Sequence, residues 1–114
     1  MKNQSASFLP DESLAWVSPA PGVCRKVMGY DDHLMQVKVN FEAGADGGGI
    51  HVHPHSQSSV ILSGVFEVTI GERIEIMQAG DGFYAPPNLP HFARCIETGT
   101  IIDSFSPVRE DFLK

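Results

Sequence analysis

Histidines are concentrated in one short stretch of this chain, between Gly49 and Gln57. Three of the five histidines in the 114-residue sequence, His51, His53 and His55, alternate there with other residues, and Gln57 takes the next alternate position. Imidazole is the commonest metal ligand near neutral pH, and side chains two residues apart on a strand point to the same face. His51 and His53 can therefore reach one ion from one strand.

The same alternation cannot bring all four side chains to one ion if the chain stays straight. At about 3.3 Å per residue, His51 and Gln57 would stand roughly 20 Å apart, whereas ligand atoms lie about 2 Å from a bound ion. Pro54 lacks a backbone donor and is disfavoured in a central strand. We therefore expect one strand to end at His53, the chain to turn at residues 54–56, and Gln57 to open the return strand.

A fourth histidine lies in a second distinctive stretch, residues 80–91, which begins with Gly80 and ends with Pro90 and His91. Such a distant histidine could complete a metal site that two alternating histidines begin. The alternative is that these histidines are structural or surface residues, as isolated histidines usually are. The combination of the two stretches favours a metal site over that alternative.

Composition and charge limit the class of protein. A length of 114 residues predicts a single domain, 1–114, and 42% hydrophobic with 19% charged residues is typical of a soluble globular chain. The net charge of −6 and the lack of a basic patch argue against a nucleic-acid partner. No apolar run is long enough to cross a bilayer, and the N-terminus lacks a signal-peptide core. We expect a cytoplasmic protein without a membrane partner, in which Cys24 and Cys95 are free thiols.

Alternating polar and apolar residues predict an all-β fold. In residues 34–42, four apolar side chains share one face, which predicts a strand with one buried side: Met35, Val37, Val39 and Phe41. Further strands are predicted at residues 14–17, 23–30, 57–62, 65–70, 74–77, 83–85, 91–96 and 100–105. Gly and Pro turns separate them, among them Ser63-Gly64 and residues 97–99. Many short strands at this spacing predict an antiparallel sandwich or barrel.

The two ends of the chain differ from this pattern. Residues 1–13 are polar and interrupted by Pro10, which predicts a loose N-terminal arm, and residues 106–114 form a C-terminal tail. Ser106 precedes Pro107 and two acidic residues, an arrangement that favours at most one helical turn beginning there.

The first histidine stretch resembles the first motif of the cupin superfamily. His51-x-His53 is followed by three residues, then Gln57, then six residues and Gly64, which is the spacing of that motif. The leading glycine lies slightly nearer than usual. Gln57 stands where most members have Glu.

The second stretch resembles the second cupin motif. Gly80, Pro86 and His91 have the family spacing, but Asn88 stands where Gly is usual and Cys95 where Asn is usual. Together the motifs cover residues 48–95, and the strand pattern covers nearly the whole chain.

The resemblance implies an antiparallel jelly-roll β-barrel that binds a divalent metal ion. The implied ligands are His51, His53, Gln57 and His91. Imidazole with one amide oxygen suits Zn, Ni, Mn, Fe or Co. Because Gln57 is neutral where Glu would be anionic, the ion keeps its full charge, which favours polarising a substrate oxygen over activating dioxygen. Small single-domain cupins are usually homodimers, and residues 14–16 are our candidate for a segment that crosses to the partner.

The C-terminal run, residues 103–113, is similar to the tail of the small pectin-degradation cupins of the KdgF type. These open the ring of 4,5-unsaturated uronates and also use three histidines and a glutamine. The resemblance implies that Asp103, Phe105 and Arg109 are catalytic. Asp103 would act as general acid and base, Arg109 would bind the carboxylate of an anionic sugar, and Phe105 with Tyr84 would pack on its ring. Asp103 and Phe105 share one face of the last strand, in agreement with these roles.

Three alternatives stay open. The chain could be a non-catalytic binding or sensing cupin, or an oxygenase, which the neutral Gln57 disfavours. Arg109 could belong to a solvated terminus and form a surface ion pair. His55 continues the alternation of the other histidines, but on a straight strand it would lie roughly 13 Å from His51. We therefore predict that His55 does not bind the metal.

Overall fold

Seven antiparallel strands run through the part of the chain that the computed structural model describes, residues 3–114. They are β1 Val17–Ala20, β2 Val23–Tyr30, β3 Met35–Phe41, β4 Ser56–Ile70, β5 Arg73–Gln78, β6 Gly82–Ala85 and β7 His91–Ser106. Their order in the sheet is β1-β2-β3-β7-β4-β5, and β6 pairs with β4. Two 3₁₀ turns, Asp11–Ser13 and Glu110–Leu113, complete the regular structure of these residues.

The long strands β4 and β7 belong to both layers of the fold. The first half of β4 lies between β6 and the second half of β7, which continues to β3, β2 and β1. The second half of β4 lies between β5 and the first half of β7. Register shifts around Ser63 and Val65 mark the change from one layer to the other. The result is the antiparallel jelly-roll barrel that the sequence predicts.

The turns predicted at Ser63-Gly64 and at residues 97–99 are wrong, because each is an irregularity within a long strand. Gly64 has a φ of 84°, and a Cβ there would lie 2.5 Å from the carbonyl oxygen of Glu97. A Cβ on Gly99 would overlap the backbone of Ser63. Glycine is needed at both positions because the two paired strands approach each other closely at the register shift, not because the chain reverses.

The hydrophobic core lies between the two layers. The alternation predicted for residues 34–42 is confirmed, since its four apolar side chains are buried: Met35, Val37, Val39 and Phe41. Phe41 packs edge-on against Phe66 of the opposite layer, with ring centroids 5.1 Å apart. Cys95 is buried beside Phe41, and both it and Cys24 are free thiols, as expected.

The N-terminal segment makes specific contacts with the sheet. The Ser5 amide donates to the carbonyl oxygen of Tyr30 at 2.9 Å. The carboxylate of Asp11 accepts from Nζ of Lys26 at 3.1 Å and of Lys38 at 2.8 Å. The first strand, β1, begins at Val17 and not at residue 14 as predicted. The described residues contain no helix of the length and apolarity needed to span a membrane.

The C-terminal turn begins later than predicted. Ser106 pairs with Ser56 and so continues β7 instead of starting a helix. The turn covers Glu110–Leu113, and Arg109 takes the N-cap position without a side-chain capping bond. The sheet hydrogen bonds of Ser106 therefore prevail over its local preference for a helix N-cap.

Candidate metal centre

One cavity of the barrel, with a volume of about 110 Å³, is lined by all four predicted metal ligands and all three predicted catalytic residues. They are His51, His53, Gln57, His91, Asp103, Phe105 and Arg109. The first residues of β4 supply Gln57, the first residue of β7 is His91, and the end of β7 supplies Asp103 and Phe105. His51 reaches the same place through an isolated backbone bridge to His91.

Three of the predicted ligands meet in this cavity. Oε1 of Gln57 lies 3.2 Å from Nε2 of His53 and 3.1 Å from Nε2 of His91. All three residues are buried. The rings of His53 and His91 lie edge to face, with centroids 4.7 Å apart.

Backbone carbonyl groups set the tautomer of both buried histidines. Nδ1 of His53 lies 3.2 Å from the carbonyl oxygen of His55, and Nδ1 of His91 lies 2.9 Å from that of Leu89. A ring nitrogen beside a carbonyl oxygen must be the N–H donor, so in the neutral ring Nε2 carries the lone pair. This is the second hydrogen bond that usually orients a metal-binding histidine.

The amide of Gln57 is oriented by its own hydrogen bonds. Its Nε2 donates to Oγ of Ser59 at 3.1 Å and to Oδ1 of Asp103 at 3.2 Å. Oε1 is therefore directed at His53 and His91, and three lone-pair atoms face one another. Such a group is stabilised when a cation lies among its members, and two imidazole nitrogens with an amide oxygen suit Zn, Ni, Mn, Fe or Co. The residues present fit a divalent metal ion.

His51 is the most exposed of the four predicted ligands. Its ring centroid lies 6.3 Å from that of His91. Because one of the three close donors is a glutamine and His51 lies apart from them, residues 3–114 contain no cluster of three His, Cys, Asp or Glu side chains arranged to hold an ion. Burial lowers the pKa of both His51 and His53, and the positive charge of neighbouring groups lowers it further. A lowered pKa favours the neutral imidazole that metal binding requires.

Asp103 faces the same cavity from β7. Its Oδ1 accepts a hydrogen bond from Oγ of Ser59 at 2.6 Å, besides the one from Gln57. Burial raises the pKa of the Asp103 carboxyl group, and the two hydrogen bonds offset only part of this increase. A carboxyl group with a raised pKa is suited to proton transfer. Both hydrogen bonds go to Oδ1, so Oδ2 is the oxygen available to exchange a proton.

Phe105 and Arg109 form one wall of the cavity. The Phe105 ring packs edge-on against that of His53, with centroids 5.7 Å apart. Cζ of Arg109 lies 5.1 Å from the Phe105 centroid, and only 15% of the Arg109 side chain is exposed. The guanidinium donates to both carboxylate oxygens of Asp111, at 3.2 and 2.9 Å. Arg109 therefore forms the ion pair that was expected if the C-terminal tail were a solvated terminus. The pair nevertheless lies at the cavity wall, where Arg109 can contact a ligand.

Among the other residues that line the cavity are Arg25, Phe83 and Phe112, which were not expected there from the sequence. The expectation for Tyr84 is wrong, since 56% of it is exposed and Phe83 takes its place in the cavity. The alternation of β6 explains this, because buried Ala85 shares a face with Phe83 and not with Tyr84. Alternation along β2 would also have placed Arg25 on the inward face, because Arg25 lies between Val23 and Val27 on one side of that strand.

The jelly-roll fold and the histidine-lined cavity define the class of protein. Residues 37–102 match the model of the cupin domain family, Cupin_2. The match covers more than half of the chain, and this chain belongs to the cupin family. A more distant structure, Bacillus subtilis oxalate decarboxylase, is described with Mn(II) centres. It is 21% identical with a TM-score of 0.79 over 97% of this chain and 32% of the other, which establishes the fold alone.

Closer relatives cover nearly the whole chain. The pectin degradation protein KdgF of Dickeya dadantii (strain 3937) is 39% identical over 108 residues, which are 93% of this chain and 96% of that protein. An RmlC-like cupin from Shewanella frigidimarina NCIMB 400 is 40% identical, with a TM-score of 0.92 over 96% of this chain and 98% of the other. KdgF from Halomonas sp. is 35% identical, with a TM-score of 0.88 and coverage of 93% and 99%. The resemblance to KdgF-type cupins is thereby confirmed.

Proposed function

We propose that this chain is a metal-dependent enzyme that opens the ring of a 4,5-unsaturated uronate or of a closely related anionic sugar. The observation that carries the proposal is the hydrogen bond between Gln57 and Asp103. Through it, a proton-transfer group lies directly beside the lone-pair atoms of Gln57, His53 and His91 in one cavity. Similarity to two KdgF proteins, one of them named for pectin degradation, supports the choice of substrate class.

A divalent ion is proposed to bind to His51, His53, Gln57 and His91. When bound, it would supply positive charge that polarises an oxygen of the ligand. The neutral amide of Gln57 leaves that charge undiminished, and the hydrogen bonds to Ser59 and Asp103 hold the amide in the binding orientation.

The proposed reaction is an isomerisation that moves one proton. The anomeric hydroxyl loses its proton, and the bond between C1 and the ring oxygen breaks as the C1 carbonyl forms. The ring oxygen and the C4=C5 double bond then constitute an enolate, which becomes the C5 ketone when C4 gains a proton. Asp103 would accept the first proton at Oδ2 and return it to C4, a role for which its raised pKa is suited.

Arg109 and Phe105 would hold the sugar in place. A guanidinium has five N–H donors, and Asp111 accepts from two of the nitrogens of Arg109. The remaining donors of Arg109 can bind the ligand carboxylate, and Phe105 offers an apolar surface to the sugar ring.

Incubation with 4,5-unsaturated galacturonate tests this proposal. We expect the ultraviolet absorbance of the C4=C5 bond to fall faster with the metal-loaded protein than without it. Asp103→Asn, which keeps the size and polarity of the side chain, should lower kcat about 10²- to 10⁴-fold. Equal rates with and without wild-type protein would reject catalysis. A metal that raises stability without any turnover of uronate or oxygen would instead favour a binding cupin.

We also propose that the chain is a homodimer. Trp16, in the segment expected to cross to the partner, is 42% exposed although Nζ of Lys26 lies 4.4 Å from its ring centroid. Light scattering should give a mass of twice 12.4 kDa, and the mass of a single chain would reject the dimer.

A further inference from the structure

Arg25 points its side chain into the barrel. It lies on β2 opposite Val39 of β3, which is buried, and paired residues on neighbouring strands share a face. The inward residues on either side of it, Val23 and Val27, are apolar. The Arg25 side chain is partly buried. Because even partial removal of a guanidinium from water is costly unless a charged or polar group pairs with it, an arginine in this row favours a partner or a function.

No partner for Arg25 is present among residues 3–114. The ion pairs within that part of the chain involve other cations: Lys26, Lys38, Arg73, Arg94 and Arg109. The contact that Arg25 does make is with an aromatic ring, since its Cζ lies 3.7 Å from the centroid of Phe112. Arg109 packs on the same ring at 4.2 Å. Two guanidinium groups therefore share one phenyl ring beside the cavity that both line.

The charges of this pair are not balanced. Burial lowers the pKa of Arg25, and the charge of Arg109 lowers it further. Arginine nevertheless keeps its charge at neutral pH. Asp111 raises the pKa of Arg25 through its negative charge, but its carboxylate is hydrogen-bonded to Arg109. One positive charge and its N–H donors thus remain at the cavity wall, where an anion would stabilise both arginines.

We propose that Arg25 is a second carboxylate-binding residue of this site and determines its preference for anionic sugars. Arg25 would donate its N–H groups to the ligand carboxylate, while Arg109 divides its donors between that carboxylate and Asp111. The sugar class rests on the proposed function, but the selectivity for a carboxylate does not require turnover. Loss of a hydrogen bond between charged groups corresponds to about a 10- to 100-fold change in affinity.

The test compares D-galacturonate with its methyl ester, which has the same ring but no charge. Calorimetry on the metal-loaded wild-type protein should give at least about tenfold tighter binding of the acid. Arg25→Met should weaken binding of the acid about 10- to 100-fold and of the ester less than about threefold, and Arg25→Lys should restore part of the loss. Arg94→Met is the matched control, because Arg94 pairs with Glu67 on β4 and does not line the cavity.

Two binding results would overturn the inference. One is a wild-type protein that binds acid and ester equally. The other is an Arg25→Met variant that keeps the selectivity or loses both ligands equally, which would indicate that Arg25 only supports Phe112. Turnover of unsaturated galacturonate is measured in parallel. Arg25-dependent selectivity without turnover would reject the proposed function alone, and turnover with an unchanged KM in Arg25→Met would reject this inference alone.

Discussion

The same two strands, β4 and β7, build two very different halves of the barrel interior. In the half next to β6 they place polar side chains inward: Gln57, Ser59 and Asp103. In the half next to β5 they bury apolar side chains: Phe66, Val68 and Cys95. We refer to these as the polar half and the apolar half. The two are joined where Gly64 and Gly99 let the paired strands approach each other closely.

The apolar half mainly stabilises the fold, whereas the polar half contains the candidate site. The apolar half gains free energy by removing side chains from water, about 25 cal/mol per Å² of apolar surface. The polar half must offset the cost of burying Asp103 through hydrogen bonds from Ser59 and Gln57. Such a cavity can stay polar because the adjacent apolar half holds the strands in place. Substitutions in the two halves should therefore have different consequences.

Phe66→Ala should give the largest loss of stability. Phe66 is fully buried and packs against Phe41, and truncation of such a residue costs about 3–5 kcal/mol. That is a large part of the roughly 5–15 kcal/mol that stabilises a typical domain. Urea denaturation measures the change. Ile74→Ala, at a position 60% exposed, is the control and should cost less than about 1 kcal/mol. Comparable losses in the two variants would contradict the division into halves.

His91→Ala should have the opposite effect, a large loss of metal with a smaller loss of stability. Its Nε2 is one of the three lone-pair atoms that face one another, and alanine has no atom that could bind the ion in its place. We expect metal affinity to fall more than about 100-fold, and the same for His53→Ala. Elemental analysis after dialysis against equal metal measures this. His33→Ala, at a histidine outside the cavity, should retain wild-type metal content. Retention of metal by His91→Ala would refute the ligand set.

Gly64→Ala tests the junction between the halves. A Cβ at this position would press on the Glu97 carbonyl group, and its φ of 84° is unfavourable for alanine. We expect a loss of about 2 kcal/mol in the free energy of unfolding. Gly80→Ala is the control for the φ effect, because Gly80 has a φ of 94° but a Cβ there would meet no atom within 4 Å. Equal losses in both variants would mean that close approach of the strands contributes nothing.

The local sequence pattern predicted correctly those strands and site residues whose positions depend on neighbouring residues alone. The bounds of β2 follow from the turn residues that flank it, and the buried face of β3 follows from alternation, since both strands lie within one layer. The spacing of the two motifs identified His53, Gln57 and His91, and the structure places both histidines within hydrogen-bonding distance of Gln57.

The missed features depend on residues far apart in the chain. Ser63-Gly64 has the composition of a turn, and only its close contact with residues 97–99 of the paired strand shows that the strand continues. Arg25 stands in an alternating row, but its role depends on Phe112, which reaches it from the other end of the chain. Neither contact can be inferred from local sequence, because both arise from tertiary packing.

His55→Ala should have the smallest effect on metal binding, because His55 lies at the edge of the polar half. The His55 side chain lies on a bend and borders a surface depression with Pro107 and Asp111, not the cavity. Its ring centroid is 5.4 Å from that of His53, and Nδ1 is buried without a hydrogen-bond partner in the described part of the chain.

The link between His55 and the metal centre is its backbone, because its carbonyl oxygen accepts the hydrogen bond from Nδ1 of His53. Alanine keeps that carbonyl group, so the tautomer of His53 should be preserved. We expect His55→Ala to bind metal within about threefold of wild type, whereas His53→Ala loses most of it. Metal content of the two purified variants, measured side by side, decides the matter. A loss in His55→Ala as large as that in His53→Ala would mean that the imidazole of His55, and not only its carbonyl oxygen, belongs to the metal centre.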